Sequence, residues 1–70
     1  MNNFNDLELY EMEIRQNYAG NSMEFLSRQY EIADKVKREC DPIALPILYK
    51  RVNIMQKVIL EELDKQNLIM

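Results

Sequence analysis

The chain of 70 residues has no histidine and no tryptophan, one glycine, one cysteine and two prolines. Each scarcity excludes something. Without histidine the commonest general base and the commonest zinc ligand are missing. A lone cysteine makes neither an internal disulfide nor a tetrahedral thiolate site, and gives no sign of an oxidising compartment. One glycine cannot build a phosphate-cradling loop. Long apolar runs are absent too. No internal stretch without charge is longer than residues 42–49, which is far below the ~20 residues that a membrane span requires. The amino-terminal residues Met1, Asn2 and Asn3 lack the basic start and apolar run of a signal peptide. A cytoplasmic protein with no membrane partner is the expectation.

What is present describes a folded domain. The hydrophobic fraction is 47%, the charged fraction 30% and the net charge −3, a globular composition and not a disordered one. Length allows a single domain over residues 1–70. Breaks fall in two places only, at Ala19, Gly20 and Asn21 and at Asp41 and Pro42, with Pro46 close behind. No segment alternates with a period of two, so no strand is expected.

The expected fold is all-α: an antiparallel helical hairpin, about residues 22–40 and 45–66, with an additional short N-terminal helix over about 5–17. In the first helix Phe4, Leu7, Tyr10, Ile14 and Tyr18 recur every three or four residues on one face. Asn5 or Asp6 serves as its N-cap and Gly20 as its stop. Asn21 with Glu24 reads as the capping box of the second helix. Pairs at i, i+4 support its outer face: Glu24–Arg28, Glu31–Lys35 and Asp34–Arg38. Pro42 to Leu45 reads as a loose turn, with the regular third helix starting near Leu45 and supported late by Glu61–Lys65. The tail from Asn67 to Met70 is expected to fray or fold back.

The second and third helices each carry two apolar stripes. Met23, Leu26, Tyr30, Ala33 and Cys40 form one stripe of the second helix. Leu45, Leu48, Val52, Met55, Ile59 and Leu63 form its counterpart on the third. These two stripes pair in the hairpin. That leaves Phe25, Ile32, Val36, Ile47, Ile54 and Val58 without intramolecular cover unless the first helix lies over them. A chain this small buries only about 60% of its unfolded surface. Those six residues are the expected partner-binding surface, for a helical protein partner or for a second copy in a dimer.

Enzymatic and ligand chemistry find little support. Glu61, Glu62 and Asp64 cluster in one turn but read as a solvated face, as do Glu8, Glu11 and Glu13 at the positive end of the first helix. Cys40 lies between Glu39 and Asp41 and reads as a small packing residue. Met12 lies off the first-helix stripe, at an exposed position. Basic residues are interleaved with acids and make no uncompensated stripe, so no nucleic-acid partner is expected. No metal and no cofactor are expected either.

The connection Cys40, Asp41, Pro42, followed by Leu45, Ile47, Leu48, Val52, Ile54, Met55, Val58 and Ile59, resembles the last helix of the small co-chaperones of type III secretion needle subunits. The resemblance covers about residues 22–63 and is one of hydrophobic pattern. It implies a helical hairpin that binds a tetratricopeptide-type chaperone and helps keep a needle subunit soluble, with Phe25, Ile32, Ile47, Ile54 and Val58 facing the chaperone. The residues alone leave two other readings open. One is a small regulatory protein, such as a phage encodes, that blocks its target. The other is a self-contained homodimeric helical bundle.

Overall fold

The computed structural model describes residues 6–68 and contains three helices, α1 (Asp6–Tyr18), α2 (Met23–Glu39) and α3 (Pro46–Leu68). Phe4, Asn5 and the last two tail residues, Ile69 and Met70, lie outside the described residues. The architecture is the expected all-α one, a helical hairpin of α2 and α3 with an extra N-terminal helix.

Local signals set the boundaries. Gly20 has φ +76°, the left-handed conformation that ends α1 at little cost to a residue without Cβ. The α2 cap is Ser22, one residue later than expected, and its hydroxyl accepts the Phe25 N–H at 3.1 Å. Asn21 instead turns back, its Nδ2 donating to the Asn17 carbonyl at 2.7 Å. Glu24 consequently stands outside any capping box, although its bond to Arg28 forms at 3.2 Å. At the next corner the Asp41 carboxylate accepts the Ile43 N–H at 2.9 Å, and its carbonyl accepts the Leu45 N–H at 2.8 Å. Pro46 is then the first helical residue, where a missing N–H costs nothing and a fixed φ suits the helix.

Helix α3 is the central element, with α1 and α2 both packed on it. The core joins Ile14 and Tyr18 of α1, Leu26 of α2, and Val58 and Ile59 of α3, with Tyr10, Tyr30, Ile54, Met55 and Leu63 packed around them. Between α1 and α2 the contact is narrow: the Tyr18 ring meets Phe25 with centroids 6.3 Å apart, and its hydroxyl bonds Gln29 Oε1 at 3.2 Å. The three helices therefore spread rather than close. The molecule measures 41 × 35 × 15 Å with a radius of gyration of 13.2 Å, against about 11 Å for a compact chain of this length.

This spread corrects the stripe assignment. Ile54, Val58 and Glu61 share a face of α3 at i, i+4 and i+7. Glu61 bonds Arg15 of α1, so α1 covers that face. Val58 is fully buried and Ile54 is half-buried against the core, so they do not form the open surface expected of them. Leu45 and Leu48, expected in the hairpin core, are exposed instead, as is Met23. Leu45 precedes α3, and Leu48 lies in its first turn.

The seam between α1 and α3 is also ionic. Arg15 binds both Glu11, at 2.8 Å, and Glu61, while Lys57 reaches Glu11 at 3.4 Å. Glu61 and Glu11 were expected in solvent. Lys65, expected to pair with Glu61, takes Glu62 at 2.9 Å. The hydrogen bond from Arg15 holds both Glu11 and Glu61 below the ordinary carboxylate range, and Glu61 and Glu11 in turn raise the Arg15 guanidinium further. A depressed carboxylate stabilises the fold above its ordinary pKa and loses that contribution as the pH falls through the depressed value. Arg15→Met should therefore lower the melting temperature at pH 7. The gap from the unmodified chain should close as thermal scans are taken down to about pH 2. A gap independent of pH would show that Arg15 acts by packing alone.

Candidate docking surface

The spread of α1 and α2 over α3 leaves an open groove of about 330 Å³. Its floor is Leu48, Val52 and Met55 of α3; its α2 wall is Gln29, Ile32, Ala33 and Val36; Tyr10 supplies the α1 side. Arg51 stacks over the Tyr10 ring at 5.4 Å. Burial pushes the Tyr10 hydroxyl above its ordinary pKa, with Arg51 pulling weakly the other way. Tyr18 is raised as well, first by burial and then by Tyr10. Neither ring is thereby made a general base near neutrality.

The α2 wall forms at a helical spacing of three and four: Phe25, Gln29, Ile32 and Val36 lie one turn apart on the flank that α3 does not cover. Phe25, Val36 and Ile32 are exposed, Ile32 at 53%. Leu48 adds 41% exposure from the floor. Polar groups are few here, and no carboxylate or thiol lines the groove. An apolar trough of this kind accepts a helix or a wedge of side chains, not a polar small molecule.

Of the six residues expected to meet a partner, the structure gathers Ile32 and Val36 in the groove and Phe25 beside Tyr18. Ile47 is exposed near the start of α3, outside the groove lining. Ile54 and Val58 face α1. Leu48, expected in the hairpin core, is an exposed part of the groove floor, Met55 packs on the core as expected and also lines the groove, and Ile43 had no assignment. Ile43 is 90% exposed at the corner between α2 and α3. A signal for the exposed corner existed in Pro46. It fixes the helix start, so Ile43 and Leu45 precede the helix and cannot share its buried stripe.

No protein family, characterised protein or solved structure matches the chain. The surface must then be read on its chemistry.

Cys40 ends α2, half-buried, with Sγ 3.8 Å from the Leu45 carbonyl. Among the described residues no group of three or more acidic, cysteine or histidine side chains is arranged to hold a metal ion. No helix among them is long and apolar enough to cross a membrane.

Proposed function

We propose that the chain is a non-enzymatic interaction protein that docks an apolar helical segment of a protein partner in the groove between α1 and α2. The observation that carries this reading is the continuous, open apolar trough of Ile32, Val36, Leu48 and Met55 on a rigid helical frame. Docking works by helix-in-groove burial: the partner's apolar face leaves water, and the adaptor holds that face soluble or in register. The specific version supported by the resemblance of residues 22–63 is a co-chaperone of type III secretion, cytoplasmic, seated on a tetratricopeptide-type chaperone. An inhibitor of some other target would use the same trough.

Co-expression with a needle subunit and its tetratricopeptide chaperone tests that version. An equimolar ternary complex is expected on size exclusion. Ile32→Asp should remove this chain from the complex while leaving its helical circular dichroism intact, because the side chain is already exposed. A needle–chaperone pair that elutes without it rejects the secretion role and leaves the docking role to other targets.

A further inference from the structure

The groove lining holds a single charged side chain, Arg51, and no carboxylate. Elsewhere the arginines are paired within the chain. Arg15 binds Glu11, Arg28 binds Glu24 and Arg38 binds Asp34, each acid four residues before its base. Arg51 has no such neighbour. Ile47 and Leu48 stand four and three residues before it, Ile54 and Met55 three and four after, so its own helix offers no acid at the spacing where side chains meet. Among the described residues Arg51 makes no ion pair. Its contact is the Tyr10 ring, 5.4 Å away. Stacking uses the flat face of the guanidinium and leaves its N–H edge free to donate. Gln29, on the α2 wall, is biased the same way. Its Oε1 accepts the Tyr18 hydroxyl at 3.2 Å, while its Nε2 has no acceptor among the described residues. The polar atoms that the trough offers are therefore mainly donors.

We infer that the partner helix docked in this groove carries an aspartate or glutamate on its apolar face, placed to take the N–H edge of Arg51. This rests on the docking reading and names the chemistry of the partner at that site. Docking drains water from the trough, and a guanidinium left there without an anion loses hydration that nothing replaces. A carboxylate replaces it with a charge-assisted bond of two parallel prongs. Ile32, Val36 and Leu48 line the same trough and take the partner's aliphatic side chains on the turns beside that acid. A helix with lysine at the same place meets Arg51 as a like charge and is turned away. Arg51 thus sets selectivity, and the aliphatic lining sets affinity.

The test is selection of random peptides displayed on phage against the unmodified chain. Excess soluble Ile32→Asp chain is added to remove peptides that bind other surfaces. The survivors should be amphipathic, with Asp or Glu at one constant spacing from their apolar positions. A synthetic copy of a survivor is then measured by fluorescence anisotropy. Changing its acid to the amide should weaken binding about tenfold, as should Arg51→Gln, and the two together should cost little more than either alone. Arg51→Glu should prefer the same peptide with lysine in place of the acid. The preference should shrink as ionic strength rises. Survivors without a constant acid overturn the inference and leave the docking reading standing. So does an Arg51→Gln loss that is equal for the acid and amide peptides, since Arg51 then only steadies Tyr10. A library with no binder sensitive to Ile32→Asp retires the docking reading, and the carboxylate with it.

Discussion

Val58→Asp is expected to unfold the protein. Val58 is fully buried in the cluster with Ile14, Tyr18 and Ile59, at the seam where α1 covers α3. Aspartate there loses the apolar burial of valine, roughly 1.5–3 kcal/mol. It also brings a carboxylate into the fully buried apolar cluster, which costs several kcal/mol more whether it ionises or is forced to bind a proton. A chain of this length has only about 4–10 kcal/mol of stability to lose. The thermal transition by far-ultraviolet circular dichroism should disappear or fall below room temperature. Leu48→Asp is the control: at 41% exposure on the groove floor it should keep the transition and lose the partner. If Val58→Asp melts like the unmodified chain, α1 does not cover α3 and the placement of the groove fails with it.

That pair of variants reverses what the helical wheel alone suggests, and the reversal shows where sequence was informative. The punctuation at Gly20, Asp41, Pro42 and Pro46 located three helices to within a residue or two, because caps and prolines act locally. The pairing of Leu26 and Ala33 with Val52 and Ile59 was legible for a similar reason: two amphipathic helices joined by a short corner must face each other. The position of α1 was not legible. Its choice between the Phe25, Ile32 and Val36 flank of α2 and the Ile54 and Val58 flank of α3 depends on long-range fit. It depends also on the ionic contacts of Arg15 with Glu61 and of Lys57 with Glu11, which span 46 residues of sequence. By settling on α3, α1 divided the six expected surface residues, burying Val58, half-covering Ile54, and leaving Phe25, Ile32 and Val36 along an open trough and Ile47 exposed outside it. Helix α3 hid its true stripe for a different reason. The buried residues of α3 are Val52, Gln56, Val58, Ile59 and Glu62, with Leu63 half-buried. The glutamine at i+4 from Val52 diverts an apolar pattern search to Met55, and the buried Glu62 runs against its reading as part of a solvated face.

Gln56 is the place where the fold gives up stability, and its replacement should raise it. The side chain is 6% exposed, and its Nε2 finds no acceptor among the described residues. A buried donor without a partner costs about 1–3 kcal/mol relative to one left in water. Leucine has nearly the shape of the glutamine stem, belongs in a stripe between Val52 and Ile59, and removes the orphaned amide. Gln56→Leu is expected to gain about 1–2 kcal/mol, which for a domain of this size raises the melting temperature by roughly 5–15 °C. Gln56→Glu supplies the opposite arm, since a carboxylate in the same buried slot is stripped of solvent and should destabilise strongly. Both are read from thermal melts at one protein concentration, chosen low enough that self-association does not shift the transition. A fall in melting temperature for Gln56→Leu would overturn the assignment, because leucine is the worse residue there only if the amide makes a hydrogen bond in solution.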